Sequence, residues 1–398
     1  MWCHSRMVYL PMSYVYGARL RAEDGPLQQA LREELYVEKY EDINWSKQRH
    51  RVCPIDLYSP HTVLMDVLFD ILSTVYEPWP IQPLRRAALD FVKDYMHAED
   101  IQTNFVDIGP VNKSLNMLCT WAIHGSDHEY FLRHAARIDD YLWVAEDGMK
   151  MNGYNGSQLW DAAFLTQAVV ESGLSTSFPT LLRRANFFVD QSQIKEDEVD
   201  REKWFRCPSK GGWPFSTNDH GWPIADCTAE GLKAALALRD STVVPEKELI
   251  PVPRLYQAVD MILFYQNRDG GWATYERNRG YDWYEWLNPA EVFGDIMIDY
   301  SYIELSSTCI EVLRDFQERF PAYKPGEVSK AMERGVAFVR RQQRPDGSFY
   351  GSWAVCFTYA AMFAANSLTA AGDPEGEDKV RLEKMCKFLL SKQREDGG

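Results

Sequence analysis

No stretch of this 398-residue chain approaches the roughly 18 consecutive apolar residues of a membrane-spanning helix. Crossing a bilayer as a helix is therefore not expected, while attachment to one leaflet stays open. Basic charge is in short supply. The 43 Lys and Arg stand against 58 Asp and Glu, a net charge of -15, which excludes the concentrated basic surface that nucleic-acid phosphates require. The eight cysteines (Cys3, Cys53, Cys119, Cys207, Cys227, Cys309, Cys356 and Cys386) show no CxxC spacing, so they read as reduced thiols instead of a disulfide framework or a zinc site. The Asp-Asp-x-x-Asp run that ionises diphosphates with metal is missing too: Asp139 and Asp140 are followed by Tyr141, Leu142 and Trp143. His124 and His128 have helical i,i+4 spacing without further ligands nearby and read as surface, so no metal is predicted. Sequons at Asn44, Asn112 and Asn155 occur at chance frequency and carry no argument.

Aromatic residues are plentiful: 13 Trp, 21 Tyr and 19 Phe. They bury well, and a large core accounts for many of them. Trp160, Trp213, Phe215, Trp222, Trp272, Tyr275, Phe293 and Trp353, however, lie beside Gly, Pro or polar residues at apparent turns, a placement that predicts an aromatic-lined cavity. Aromatic faces attract cations through their quadrupole, by up to about 2 kcal/mol each when desolvated. Within 221–230 stands Asp226, with the Cys227 thiol beside it and tryptophans nearby. Desolvation would keep that carboxyl protonated near neutral pH, and a donor such as Cys227 would limit how far its pKa climbs. A strong acid facing aromatic walls is the pattern of carbocation chemistry. The plainer reading of an Asp before a Cys is a helix cap.

Apolar residues at three- and four-residue spacing predict helices over 91–96, 181–189, 255–265, 331–341 and 379–391. The last three stop at one recurring turn, Gln, three residues, then Gly, at 266–272, 343–349 and 393–398. A looser copy runs from Phe188 through Gln193 to Gly212 and Trp213, with an acidic insertion at 195–202. Long-period repeats predict an all-α fold of helical hairpins in an array or closed ring. In it the Gln amide would bond free backbone groups and the aromatic would stack on the next helix start. The third copy stops at Gly398 and the chain opens mid-pattern at Met1-Trp2-Cys3-His4, so a fragment is expected, with apolar faces that leave it poorly stable alone.

The Gln-x-x-x-Gly-x-Trp (QW) repeats, Asp226 to Glu230, Met1 to His4, Asp147-Gly-Met-Lys-Met151 and 351–359 together resemble the oxidosqualene cyclases, the triterpene synthases of sterol biosynthesis. The resemblance covers the whole chain as the middle and later part of a family member. It implies two α/α barrels (toroids), with 1–145 the C-terminal part of the inserted barrel and 146–398 most of the second barrel, truncated at its end. It further implies cyclisation of (3S)-2,3-oxidosqualene, an isomerisation without cofactor or metal. Asp226 matches the acid that protonates the epoxide, Cys227 a thiol bonded to it, and Glu230 a carboxylate that helps return the proton. His4 matches the histidine near the last deprotonation and Tyr275 a residue near the first rings. Trp160, Phe215, Phe293 and Trp353 match aromatics that face successive cations, and Ser5, Tyr9 and Ile296 match the entry channel. Two positions depart from the family. Leu305, in Ile303-Glu304-Leu305-Ser306-Ser307, replaces a second thiol, which should raise the pKa of Asp226 unless Ser306 or Cys309 substitutes. Ser5 stands where animal enzymes carry cysteine.

Tyr154, His220 and Ile224 follow the pattern that forms cycloartenol, with lanosterol, then parkeol or another triterpene alcohol, as alternatives. Ile224 could hold the late cation in one pose, and the polar Tyr154–His220 pair could steer deprotonation towards C19. The family attaches to one leaflet, which implies monotopic association with the endoplasmic reticulum or a lipid droplet. Two rivals of other classes remain: a non-catalytic α/α-toroid scaffold, which would need neither acid nor cavity, and a carbohydrate-active α/α barrel, whose two carboxylates could be Asp226 with Glu230 or Glu304.

Overall fold

The structure is a computed structural model that describes residues 1–48, 51–353 and 356–398. Helices dominate it. In chain order they are α1 (Cys3–Gly17), α2 (Pro26–Leu35), α3 (Val63–Ile71), α4 (Gln82–Gln102), α5 (Pro110–His124), α6 (Glu129–Ala135) and α7 (Gln158–Glu171). They continue with α8 (Pro179–Ser192), α9 (Ala225–Asp240), α10 (Val252–Tyr265), α11 (Ile303–Arg319), α12 (Pro325–Gln342), α13 (Phe357–Ala371) and α14 (Lys379–Lys392). One antiparallel hairpin interrupts the pattern: β1 (Leu142–Ala145) pairs with β2 (Gly148–Met151), with Ala145 opposite Gly148. The helical periodicity did not signal it.

Contacts divide the chain into two compact units that interleave in sequence. One holds Met1–His97, Ser114–Leu132 and Gly280–Ile298; the other holds Ala98–Lys113, Arg133–Arg279 and Asp299–Gly398. In the first, Val92, Met96 and Cys119 pack with Leu10, Tyr14, Val15 and Ile123. The 280–298 segment joins this unit through main-chain bonds, Trp2 N–H to Met297 O at 2.9 Å and Tyr58 N–H to Glu291 O at 3.0 Å.

The second unit is a double layer of helices. α9 packs against α7 and α11, and α11 against α13; α8, α10, α12 and α14 lie on these as an outer layer. Burial follows from composition. α9 is rich in small and aliphatic residues and buries most of its length, including Ala225, Ala229, Ala234, Leu232 and Leu236. α12 is amphipathic and buries the stripe Val328, Ala331, Gly335, Val336, Phe338 and Val339. This is the α/α toroid arrangement expected from the repeats.

The recurring turns hold the layers together. Gln193 Nε2 donates to Gly211 O (2.8 Å) and Arg254 O (3.2 Å), Gln266 Nε2 to Gly270 O (2.9 Å) and Ala331 O (2.8 Å), and Gln343 Nε2 to Gly347 O (3.1 Å) and Arg381 O (2.9 Å). Each amide thus spans its own turn and the next outer helix. Gly270 has φ +94°, and a Cβ there would stand 2.4 Å from Arg334 O, so only glycine allows this approach. The tryptophans close the repeat: Trp213 Nε1 donates to Val189 O and Trp272 Nε1 to Ile262 O.

Candidate active site

The start of α9 is set by two of these turns. Ile224 N–H donates to Trp213 O (3.0 Å) and Ala225 N–H to Thr274 O (2.9 Å). Trp213 N–H in turn donates to Thr228 Oγ1 at 3.0 Å, and Trp272 N–H to Ser306 Oγ at 2.9 Å on α11. One hydroxyl from each of α9 and α11 thereby holds the turn in front of it. Asp226 falls in the first turn of α9, where unpaired backbone N–H groups and the helix dipole favour negative charge.

Asp226 opens onto a cavity of about 410 Å³ walled by Trp160, Phe215, Tyr275 and Trp353, with Tyr154, Ile224 and Tyr359 also on its lining. Burial pushes the Asp226 carboxyl up to about 7. The Cys227 amide, 2.8 Å from Oδ1, and the Cys227 thiol pull it back, while the Glu230 charge raises it. Desolvation likewise drives the Cys227 thiol well above its ordinary range, so it remains a donor. The result is an acid that holds its proton up to about neutral pH against an aromatic wall.

Leu305 is fully buried, and neither suggested replacement for the family's second thiol reaches the acid. Ser306 Oγ accepts the Trp272 amide, and Cys309 Sγ donates to Ala225 O at 3.7 Å, one residue short of Asp226. Glu230 is wholly buried behind the acid, taking Gln167 Nε2 at 2.7 Å, Lys233 Nζ at 3.0 Å and the Thr308 hydroxyl. Glu304 is a second carboxyl on the cavity lining, raised by burial and accepting the Trp353 amide at 3.4 Å.

The three residues linked to product choice lie together. Tyr154 Oη is 2.8 Å from His220 Nε2 and also hydrogen-bonds Tyr275 Oη. His220 is fully buried beside the Ile108 carbonyl (3.4 Å), and Ile224 lines the cavity. The ring of Phe215 meets Tyr154 edge-on at 5.3 Å and Trp160 at 5.9 Å.

Other expected residues lie elsewhere. Trp213, Trp222 and Trp272 do not line the cavity. All three are buried core, the first and third as the staples described above. His4, Ser5, Tyr9, Phe293 and Ile296 belong to the first unit, apart from the unit that carries Asp226. There Ser5 Oγ donates to Ile296 O at 2.5 Å, Phe293 is half exposed, and burial lowers His4 to about 4. Asn112 and Asn155 are buried, an environment that does not suit glycosylation. Sequence reasoning missed Tyr359, pushed up to about 12 by burial, which lay unremarked inside the 351–359 motif. It also missed a buried group of Asp100, Asp107 and His134, because these residues are far apart in the chain. There Lys113 Nζ, 2.9 Å from His134 Nδ1, already supplies the positive charge.

Fold and site together define a helical toroid with a buried carboxyl, raised by desolvation, on an aromatic cavity. The chain belongs to the squalene-hopene cyclase C-terminal domain family, which matches residues 156–398. It is 48% identical to a cycloartenol synthase of Dictyostelium discoideum over 94% of this chain and 52% of that protein. It is 46% identical to a lanosterol synthase of Mus musculus over 100% of this chain and 55% of that protein. An alpha-onocerin synthase of Lycopodium clavatum is 37% identical over 99% of this chain and 52% of its own length. The chain spans about half the length of these curated relatives. Among solved structures, the type II terpene cyclase MstE from Scytonema aligns with a TM-score of 0.38 and 12% identity over 77% of this chain and 66% of that one.

Proposed function

We propose that this chain carries the acid-bearing part of an oxidosqualene cyclase. Asp226 protonates the epoxide of (3S)-2,3-oxidosqualene, four rings close, hydrides and methyls shift, and a base removes the last proton. The observation that carries this reading is the carboxyl at about 7 on a cavity walled by Trp160, Phe215, Tyr275 and Trp353. A protonated acid starts the cascade, and the π faces stabilise the cations that follow. A sugar-cleaving reading fits less well, since the wall is aromatic and Glu230, one turn along α9, is enclosed by its own donors.

For the product we favour cycloartenol. The Tyr154–His220 hydrogen bond and the place of Tyr154 and Ile224 on the cavity lining support this reading. Lanosterol is the second reading, supported by the 46% identity to the murine lanosterol synthase. His4 as the base near the final step, with Ser5, Tyr9 and Ile296 as channel residues and Phe293 as a further aromatic, complete the proposal. So do the domain boundary near residue 145 and one-leaflet association with the endoplasmic reticulum or a lipid droplet. Exposed Val63, Leu64, Val67 and Ile71 on α3 offer apolar contact to such a surface.

The test is expression of the complete reading frame in yeast lacking its own lanosterol synthase, with products read by mass spectrometry and proton NMR. Upfield cyclopropyl methylene signals are expected. Lanosterol instead would keep the cyclase and defeat the product assignment, and accumulated oxidosqualene from well-expressed protein would defeat both.

A further inference from the structure

Behind Asp226 lies a charged chain that the protonation step itself does not use. One turn along α9 from the acid, Glu230 is fully buried, and each of its contacts is a donor: Gln167 from α7, Thr308 from α11 and Lys233 from α9. An enclosed carboxylate that only accepts acts as a fixed negative charge. At the distance of one helical turn it opposes ionisation of the acid. Lys233 Nζ lies 3.0 Å from Glu230 Oε1 and 2.8 Å from Glu311 Oε2 on α11, with its side chain only 11% exposed. The row Asp226, Glu230, Lys233, Glu311 therefore alternates from a neutral acid through anion, cation and anion, away from the cavity.

We propose that Lys233 is a positioning residue of the acid: by neutralising Glu230 it keeps Asp226 able to release its proton into the cavity. This rests on the reading of Asp226 as the cyclase acid. The other groups facing Asp226 do not do this job. Cys227 on α9 donates to it directly, and Cys309 on α11 is spent on the Ala225 carbonyl. Glu304 on α11 and Tyr359 on α13 are cavity groups that burial pushes up, and Tyr154 and Tyr275 are hydroxyls bonded to each other. Helix α7 presents the neutral Gln167 amide. Lys233 is the cation in direct contact with the Glu230 charge.

The experiment follows the infrared C=O stretch of protonated Asp226 against pH in the full reading frame, identified as the band lost in Asp226→Asn. In Lys233→Met the midpoint should rise from about 7 by about one unit, tenfold in proton affinity. Lys233→Arg should stay at the wild-type midpoint, and adding Glu230→Gln to Lys233→Met should bring the midpoint back. Coincident midpoints for Lys233→Met and wild type would overturn the proposal, as would a raised midpoint that Glu230→Gln leaves in place. If Lys233→Met does not fold, Glu230→Gln alone should lower the midpoint, and an unmoved one contradicts the idea. These shifts in protein that makes no cyclised product would sink the proposed function and leave the role of Lys233 standing.

Discussion

Asp226 owes its chemistry to its surroundings, and a stability signature follows from them. Burial raises the carboxyl from 3.8 to about 7, so the folded protein keeps a proton that the unfolded chain gives up. That contribution is complete below about pH 4 and is lost as pH rises through about 7. Asp226→Asn should therefore gain on wild type between about pH 4 and 8, by up to about 4 kcal/mol, from the unit-to-energy conversion of the shift. Glu99 and Asp299 are raised in the same direction but titrate in both proteins and cancel. Thermal melts of the two proteins across that range check this; a constant difference in Tm would contradict it. Leu305→Cys should restore a second donor, lower the Asp226 midpoint and move the alkaline limb of turnover down in pH. Asp226 and Cys227 were legible in the sequence because the motif is contiguous. The Glu230–Lys233–Glu311 row was only partly so, since Thr308 and Glu311 arrive from another helix.

At the level of elements, the QW turns connect the repeat to the site. The sequence spacing was enough to place the Gln amides across turns, and the structure adds that Trp213 and Thr274 carbonyls hold the first residues of the acid-bearing helix. Which aromatics face the cavity was not legible: Trp213 and Trp272 share the turn placement of Phe215 and Tyr275, and only packing distinguishes a staple from a wall. Gln266→Ala strips the bonds to Gly270 and Ala331 carbonyls and to Arg334, leaving buried acceptors unmet. Denaturant unfolding should show a loss of about 1–3 kcal/mol. Gly270→Ala should cost at least about 1 kcal/mol, because it combines left-handed strain with the Arg334 clash. Gly326→Ala, with nothing near its Cβ, should be close to neutral. Equal losses for the two glycines would mean that the turns do not bear on stability.

Taken whole, the chain is two compact units, and the acid, its thiol, the Tyr154–His220 pair and the aromatic wall all belong to one of them. The units interleave in sequence: 280–298 leaves the repeat between the Gln266 turn and α11, a detour that periodicity does not announce. The other unit carries exposed apolar residues on α3, and Trp79 is 77% exposed. Vesicles of neutral phospholipid should co-sediment the protein, and Val63→Asp with Val67→Asp should release it; retention of the double variant would remove α3 from the account. The central claim is that Asp226 starts a cation cascade. Its most direct test is product formation from 2,3-oxidosqualene by the complete reading frame, comparing wild type with Asp226→Asn at equal expression. A cyclised triterpene alcohol from wild type and unreacted substrate from the variant is the predicted result, whereas equal cyclisation by both would contradict it.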